Sequence, residues 1–396
     1  MENVSSRCGK SDNAPRLRFP EFRGKWVEKK LGEIFFEVNE RKHPELPVLS
    51  IQQGIGTVFR DISERRISYD KANINAYKVI EPGDFIIHLR SFEGGLECSK
   101  HKGISSPAYK ILRSNCIDSA AFKDYFRSYN FIEGKLAAAV TGIRDGKNID
   151  MPTFWSLKIN IPSLPEQKKI AAFFTLLDRR IQKQRQFVEY LKTYKRGVSE
   201  AIFERKFGFP NKTNWKKIKI ENLFSERCER AIGNEELLAV TINGGIQKRN
   251  EIQLKDNSSE DKSNYKRVHI GDIAYNTMRM WQGASGVSCY AGIVSPAYTV
   301  IVLKDKENQC IDFWGHYFKH TNLIRTFQKF SQGLTSDTWN LKYAQLSQIN
   351  LYVPEYKEQC AIANFLHKFD SKISIEEKKL SQLSMLKNEL LHRMFI

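Results

Sequence analysis

The sequence lacks the long apolar runs and the leader pattern that direct a chain into or across a membrane. No stretch approaches the roughly 18 consecutive apolar residues of a bilayer span. The first residues do not show the basic, apolar and small-residue order of a secretory signal. The seven cysteines include no Cys-x-x-Cys pair and are odd in number, which is typical of reduced thiols. These absences predict a cytoplasmic protein.

The sequence also lacks the short motifs of nucleotide-dependent enzymes. Gly142–Asn148 is one residue too short for a phosphate-binding loop, and Gly54–Gly56 lacks the third glycine of a dinucleotide loop. The Asn/Asp-Pro-Pro-aromatic tetrapeptide of amino-methyltransferases is absent as well. We therefore expect this chain to be non-catalytic and to hold no cofactor of its own.

Acidic residues are too few to balance the basic ones. The chain of 396 residues has 63 Lys and Arg against 45 Asp and Glu, which gives a formal net charge of +18. This excess favours a polyanionic partner, most simply nucleic acid, although a merely basic, solvated surface is the alternative. The length suits two or more domains, and 41% hydrophobic residues exclude a disordered chain.

The chain carries a long internal repeat. Seven of the sixteen residues in Glu166–Ile181 recur 192 positions later in Glu358–Ile373. A Gly-Asp turn before an apolar run occurs in both Pro82–Ser91 and Ile270–Arg279, and the tetrapeptide Ser-Pro-Ala-Tyr follows each of them. Each half is therefore predicted to be a mixed α and β unit that ends in a long helix. The predicted fold class is α+β, with this unit present in two copies.

The repeat also sets the predicted domain boundaries. They are a flexible lead at residues 1–16, a first globular domain at 17–161, a central spacer helix region at 162–207, a second globular domain at 208–353 and a C-terminal spacer helix region at 354–396.

Both closing helices carry a heptad seam with polar breaks at equivalent places. The seam residues are Leu177, Ile181, Gln184, Val188, Leu191 and Lys195 in the first helix and Ile373, Glu376, Leu380, Leu383, Lys387 and Leu390 in the second. We expect the two helices to form an antiparallel coiled coil, with Gln184 opposite Lys387 and Lys195 opposite Glu376. Helices of this length would hold the two domains roughly 50 Å apart. The alternative is that each helix packs only on its own domain.

With its duplicated Glu-Gln-x-x-Ile-Ala phrase ahead of each heptad helix, its Gly-Asp strand starts and its twice-used Trp and Leu/Ile opening, the chain resembles the specificity subunit of a type I restriction-modification system. The resemblance extends from about Leu17 to the end. It implies two target recognition domains, each of which reads one half of a bipartite, asymmetric sequence in double-stranded DNA.

The resemblance also implies the partners of the chain. In this family the helices space the two domains and dock two methyltransferase subunits, and restriction subunits complete the nuclease. S-adenosylmethionine, ATP and Mg would then be bound by the partner subunits. A repeat with pseudo-twofold symmetry suits two identical partners.

DNA contacts are expected where the two copies diverge within their shared frame, because each half would read different bases. Lys and Arg would contact phosphates, and side chains on loops would contact base edges. The candidates in the first half are Arg60, Arg65, Arg66, Arg90, Lys100, His101, Arg144, Lys147 and Asn148. Those in the second half are Lys248, Arg249, Asn276, Arg279, Trp281, Gln282, Thr335, Thr338 and Asn340. For the stretch Asn276–Gly283 the alternative is a polar surface turn.

His316 and His320 have the i, i+4 spacing of two helical metal ligands, but the other copy has Asp124 and Ser128 at these positions. The sequence therefore predicts no metal site. Two other functions stay open: a self-sufficient DNA-modifying enzyme, and a coiled-coil interaction protein without a DNA role.

Overall fold

The computed structural model of the chain describes residues 14–60, 71–88, 90–142, 147–208, 213–233, 235–242, 244–252 and 261–395. The chain divides into two compact units: unit 1 is formed by residues 1–185 and 378–396, and unit 2 by residues 186–377. Both units mix helices and strands, as the sequence predicts. Among the described residues, no helix has the length and the apolar content needed to cross a membrane.

The first half of the chain alternates short strands with short helices before one long helix. Its elements are β1 (Val27–Lys30), α1 (Leu31–Ile34), β2 (Phe36–Val38), β3 (Leu49–Gln52), β4 (Gly56–Phe59), β5 (Lys78–Ile80), β6 (Phe85–Ile87), α2 (Ser91–Gly94), β7 (Glu97–Cys98), β8 (Gly103–Ser105), β9 (Lys110–Arg113), α3 (Ser119–Phe122), α4 (Tyr129–Ile132), β10 (Val140–Thr141), β11 (Asn148–Ile149), α5 (Met151–Ser156), β12 (Lys158–Ile161) and α6 (Leu164–Phe203).

The second half repeats this order. Its elements are β13 (Lys216–Lys219), α7 (Ile220–Leu223), β14 (Phe224–Glu226), β15 (Leu238–Thr241), β16 (Gly245–Lys248), β17 (Lys266–Val268), β18 (Ile273–Asn276), β19 (Ser285–Val287), β20 (Gly292–Val294), β21 (Tyr298–Leu303), α8 (Ile311–Tyr317), α9 (Thr321–Phe330), α10 (Tyr343–Leu346), β22 (Asn350–Val353) and α11 (Tyr356–Met394).

The strands pair in the same order in both units. A four-stranded antiparallel sheet has the order β2-β9-β6-β7 in unit 1 and β14-β21-β18-β19 in unit 2. Three two-stranded pairs also correspond: β1-β12 with β13-β22, β3-β4 with β15-β16, and β5-β8 with β17-β20. The hairpin β10-β11 of unit 1 is replaced in unit 2 by a single antiparallel bridge between Gln332 and Asn340. The predicted repeat is therefore a repeat of topology.

Each unit buries an aromatic core between its main sheet, its short helices and one end of the long helices. In unit 1, Phe122 and Phe126 are completely buried with Phe174 of α6. In unit 2, Trp314 and Phe318 occupy the corresponding core with Leu366 of α11. Burying a large apolar side chain contributes about 1.5 to 3 kcal/mol, so these clusters hold the helix ends firmly against the sheets.

The Gly-Asp turns begin the central strands of both sheets, as predicted. Gly83 and Gly271 have φ of +94° and +87°, a left-handed conformation that only glycine adopts without strain. The following aspartates close the turn, because Asp84 accepts from the backbone N–H of Glu81 and Asp272 from that of His269, both at 2.8 Å.

A buried ion pair braces each turn, but the arginine comes from a different strand in the two units. Arg113 of β9 donates Nε and Nη2 to Asp84 at 2.7 and 2.8 Å. In unit 2, Arg227 at the end of β14 donates to Asp272 at 2.7 and 3.1 Å. Both aspartates are almost fully buried, so each needs its cation.

The repeated Glu-Gln phrase is a structural element. Glu166 accepts from Trp26 Nε1 at 3.3 Å and from Arg18 through two bonds of 2.7 Å. Glu358 accepts in the same way from Trp215 Nε1 at 3.3 Å and from the Thr213 hydroxyl at 2.6 Å. The phrase therefore anchors each long helix to the Trp of its own unit, which explains why both recur.

The neighbouring glutamine has an equally specific role. Gln167 accepts from the backbone N–H of Asp118 at 2.7 Å and donates to the carbonyl of Pro162 at 2.9 Å. Gln359 accepts from the N–H of Cys310 at 2.9 Å and donates to the carbonyl of Pro354 at 3.0 Å. Both glutamines are completely buried, and these bonds satisfy their amide groups.

The long helices α6 and α11 pack antiparallel within each unit. In unit 2, Lys192 pairs with Glu377 at 2.9 Å and Lys195 with Asp370 at 2.5 Å. The residue numbers rise along α6 as they fall along α11, which shows that the helices are antiparallel. In unit 1, Lys387 pairs with Asp178 at 2.6 Å. The twelve predicted seam residues are all buried or half-buried.

The ion pairs between the helices differ from those expected from the seam. Lys195 pairs with Asp370 and not with Glu376, which forms an ion pair with Lys372 of its own helix at 2.8 Å. Lys387 reaches Asp178, six residues before its expected partner Gln184. Six residues correspond to about 9 Å along a helix. Matching polar positions of the seam gave the wrong partners because the lysines pair with aspartates that flank it.

Candidate DNA-binding surfaces

The described candidate residues fall into two groups in each unit. One group surrounds the loop that joins β6 to β7, or β18 to β19; we call this region the joining-loop surface. The other group surrounds the loop that leaves β7 or β19; we call it the exit-loop surface. Because paired antiparallel strands run in opposite directions, these two loops lie at opposite ends of the strand pair. The candidates therefore do not form one cluster.

The joining-loop surface of unit 2 brings together two segments that are far apart in sequence, residues 276–283 and 332–340. The backbone N–H of Leu341 donates to the carbonyl of Thr277 at 3.0 Å. The rings of Trp281 and Trp339 meet edge to face with centroids 5.2 Å apart. These contacts place Arg279, Trp281, Gln282, Thr335, Thr338 and Asn340 in one region of unit 2.

The polar side chains of this surface differ in how far they are already engaged in hydrogen bonds within the protein. Asn276 Oδ1 accepts from the N–H of Met278 at 3.0 Å, so part of its amide is used by the turn. The hydroxyl of Thr338 accepts from the N–H of Thr335 at 3.1 Å and fixes the second loop. Arg279 is exposed, and among the described residues its guanidinium has no protein partner. Leu334, at the tip of the second loop, is fully exposed.

The joining-loop surface of unit 1 has the same construction with other side chains. Arg90 is exposed in the first loop, next to α2. Lys147 places its Nζ 5.7 Å from the ring centroid of Phe92, and this contact joins the first loop to the β10-β11 hairpin. Asn148 pairs with Thr141 in that hairpin. Arg144 lies outside the described residues.

The exit-loop surfaces hold the remaining described candidates. In unit 1, the ring of His101 lies 4.5 Å from that of Phe59, and its Nδ1 is 3.1 Å from the Thr57 hydroxyl. At the corresponding place in unit 2, Lys248 lies over the ring of Tyr290 at 5.5 Å. The last residue of β4 or β16 thus contacts a ring of the exit loop in both units, with different side chains at both positions. Lys100 adjoins the unit 1 pair.

Arg60 and Arg249 occupy equivalent positions at the ends of β4 and β16. The backbone N–H of each donates to an equivalent carbonyl, that of Val48 or Leu237, at 3.0 and 2.8 Å. Arg60 also donates Nε to the hydroxyl of Ser50 at 3.2 Å. Arg65 and Arg66 lie outside the described residues.

A half-buried lysine behind the joining loop was not predicted from the sequence. Lys319 donates Nζ to the carbonyls of Ile242 and Gly283, at 2.8 and 2.5 Å, and so connects the β15-β16 turn to the joining loop of unit 2. Burial lowers its pKa to about 8, and the positive charge of Lys195 adds to this effect. The role of Lys319 could not be predicted, because in the sequence a lysine after α8 looks like any surface lysine until its partners are known.

In unit 1 the equivalent position holds Arg127. Its Nε lies 3.9 Å from the buried Glu97, which accepts from the backbone N–H of Gly54 at 2.7 Å. A cation therefore supports an equivalent turn in both units. Lys319 contacts the β15-β16 turn directly, and Arg127 contacts the β3-β4 turn through the carboxylate of Glu97.

Comparison with known proteins identifies relatives of this chain. The profile of the family described as type I restriction modification DNA specificity domain matches residues 115–189 and 212–385, which is more than half of the chain. The solved S subunit of a type I restriction-modification system from M. genitalium is 12% identical, with a TM-score of 0.53, covering 97% of this chain and 99% of that chain.

Two further solved structures are similar. A chain from work on complex assembly and conformational transition of the type I R-M system is 15% identical, with a TM-score of 0.54, covering 92% of this chain and 96% of that one. The HsdS subunit from Thermoanaerobacter tengcongensis is also 15% identical, with a TM-score of 0.47 and coverage of 93% and 96%. The family match identifies this chain as a member of the type I restriction-modification DNA specificity domain family.

Proposed function

We propose that the chain is the sequence-reading subunit of a type I restriction-modification complex and that each unit reads one half of a bipartite, asymmetric DNA site. The observation that carries this proposal is the pair of joining-loop surfaces. Both are built from two equivalent loops, one of which joins two strands of the main sheet, and their exposed side chains differ. Two equivalent frames with different side chains suit the recognition of two different half-sites.

The charge distribution of the surfaces supports contact with DNA. Arg90 and Arg279 are exposed cations at the joining loops, and Lys147 adds a third in unit 1. Arginine can donate to O6 and N7 of guanine in the major groove, whereas lysine and arginine both bind phosphates. The formal charge of +18 would supply affinity that is independent of sequence.

The long helices would dock the methyltransferase subunits. Support comes from exposed apolar side chains on the two helices, which a protein partner could bury. They are Leu176, Met385 and Leu386 in unit 1 and Phe187, Tyr190, Tyr194 and Ile375 in unit 2. In this proposal the chain itself is non-catalytic, and S-adenosylmethionine, ATP and Mg are bound by the methyltransferase and restriction subunits.

The proposal is tested by methylome sequencing of cells that carry this chain with its methyltransferase partner. A bipartite methylated motif is expected, and exchange of residues 17–161 for those of another family member should change one half of the motif only. A single undivided motif, or a change in both halves, would contradict the assignment of one half-site to each unit.

Binding measurements test the DNA-binding role directly. We expect the complex to bind a cognate duplex with an affinity that falls steeply as salt increases, because phosphate contacts release counterions. A coiled-coil interaction protein without a DNA role would show no such binding. A purified chain that methylated or cleaved DNA alone would support the enzyme alternative.

A further inference from the structure

Three side chains in unit 2 converge on one point that the proposed function does not use. Glu200 is in the last turn of α6, Glu204 directly follows the end of that helix, and His320 immediately precedes α9. One donor atom from each residue lies within 4.8 Å of the other two. Among the described residues, this is the single group of His, Cys, Asp and Glu side chains that meets this condition.

The imidazole of His320 is buried and lacks a hydrogen bond at Nε2. Its side chain is 5% exposed, and Nε2 lies 2.8 Å from Glu200 Oε2 without the alignment of a hydrogen bond. A buried, unsatisfied nitrogen is costly and points to an absent partner.

The first turn of α9 holds the two carboxylates. Glu200 Oε1 accepts from the backbone N–H and the hydroxyl of Thr321 at 3.1 and 2.5 Å. Glu204 Oε1 accepts from Asn322 Nδ2 at 3.0 Å. Each carboxylate therefore has one oxygen fixed by α9 and its Oε2 available, which is the arrangement of ligands that are oriented by neighbouring donors.

The Oε2 of Glu204 has one competitor. Lys206 Nζ lies 2.6 Å from it, but the side chain of Lys206 is 73% exposed. It can therefore turn into solvent when a cation arrives. The side chains of Glu200 and Glu204 are 26% and 28% exposed, which leaves a path for entry.

From this geometry we propose that Glu200, Glu204 and His320 bind a divalent transition-metal ion of the Zn²⁺ class. One imidazole and two carboxylates are suitable ligands for Zn²⁺, whereas Mg²⁺ and Ca²⁺ prefer oxygen alone. In a tetrahedral site, bonds of about 2.0 to 2.2 Å place the donor atoms about 3.3 to 3.6 Å apart. His320 Nε2 and Glu200 Oε2, which are 2.8 Å apart, would separate slightly to admit the ion. The ion would join α6 to the start of α9. This role is independent of DNA reading.

The sequence did not indicate this site, because His320 is more than a hundred residues away from the two glutamates. The i, i+4 histidines that it did suggest do not converge: His316 lies 3.8 Å from Asp370, and His320 faces Glu200. In unit 1 the equivalents of His320 and Glu200 are Ser128 and His392. The proposed site therefore belongs to unit 2 alone.

Titration of the full chain with Zn²⁺ after treatment with EDTA tests the proposal. We expect one high-affinity Zn²⁺ per chain and an increase in melting temperature that neither Mg²⁺ nor Ca²⁺ reproduces. His320→Ala and Glu204→Gln should each remove this binding event. Thr321→Val, which loses only a supporting hydroxyl, should weaken it about 10- to 100-fold. His367→Ala is the matched control, because it removes an exposed histidine outside the group.

Cobalt substitution distinguishes this site from binding by cysteines. Co²⁺ should give visible d–d bands without a thiolate charge-transfer band, and Glu204→Gln should abolish them. Glu204 is half-buried, so this variant decides the question even if His320→Ala fails to fold. Equal Zn²⁺ binding by the wild type and Glu204→Gln, or no binding by either, would overturn the proposal. Loss of DNA binding with Zn²⁺ binding intact would contradict the proposed function alone.

Discussion

Lys387 and Lys195 occupy equivalent positions of the repeat, and each pairs with the aspartate of the other helix's repeated phrase. Lys387 Nζ lies 2.6 Å from Asp178, and Lys195 Nζ lies 2.5 Å from Asp370. The same ion pair is thus made once in each unit. It explains why both the lysine and the aspartate recur at matching places in the two halves.

We expect Lys387→Met to lower the free energy of unfolding by about 1 to 3 kcal/mol, because Lys387 also pairs with Asp124 at 2.9 Å and is largely buried. Urea unfolding followed by circular dichroism measures the loss. Lys192→Met is the control: Lys192 is half exposed, so its loss should cost less than about 1 kcal/mol. Equal effects of the two substitutions would contradict a special role for Lys387.

Removal of the repeated glutamate should cost more in unit 1 than in unit 2. Glu166 is 1% exposed and accepts two bonds from Arg18, so Glu166→Ala should destabilise by about 2 to 4 kcal/mol. Glu358 accepts from the neutral groups of Thr213 and Trp215, and Glu358→Ala should cost about 1 to 3 kcal/mol. Urea unfolding of both variants, with tryptophan fluorescence as the signal, measures the order. The reverse order would show that the ion pair with Arg18 adds no stability.

His316 should make the stability depend on pH in the acidic range. Burial, aided by the charge of Lys195, lowers its pKa from 6.5 to about 4, although Asp370 and Asp312 oppose this shift. Between these values the unfolded state binds more protons than the folded state, so the stability decreases as the pH falls from 6.5 towards 4. His316→Gln should remove this part of the pH dependence, which urea midpoints at about pH 7 and about pH 5 would reveal. An unchanged dependence would mean that His316 is protonated in the folded protein.

Arg279→Ala tests whether the joining loop of unit 2 reads bases. A contact with a base edge would make the variant lose about 1 to 3 kcal/mol of discrimination between cognate and altered half-sites. A phosphate contact would weaken binding to all sequences alike and reduce the salt slope by about 1. Binding curves at two salt concentrations separate these results, with Arg23→Ala in unit 1 as the exposed control. No change in either quantity would remove Arg279 from the DNA surface.

The sequence predicted the repeat, the α+β class and the antiparallel helix pair, because these features depend on periodic patterns that one copy shows and the other repeats. The partner of an individual side chain was harder to predict from the sequence. The repeated Glu166 marked a helix start in the sequence, but its bonds to Arg18 and Trp26 depend on residues about 140 positions earlier. The predicted partner of Lys195 was wrong. A heptad pattern predicts which face of a helix packs against its partner, but it does not predict which charged residues beside that face form ion pairs.

The candidate DNA-contacting residues show the same limit. Divergence between the copies selected loop residues, but only the strand pairing shows that Arg279 and Lys248 lie at opposite ends of a strand pair. Lys319 and Glu200 were missed because their significance arises from carbonyls and a histidine that tertiary folding brings to them.

The ion pair of the Gly-Asp turn restricts how the two halves can be recombined. Where unit 1 has Arg113, unit 2 has Val302, and where unit 2 has Arg227, unit 1 has Val38. A hybrid with its crossover between these strands would contain either an orphaned aspartate or two competing guanidinium groups. Viable chimaeras therefore require junctions outside residues 38–113 or 227–302, so we expect this part of each unit to be exchanged only as a whole.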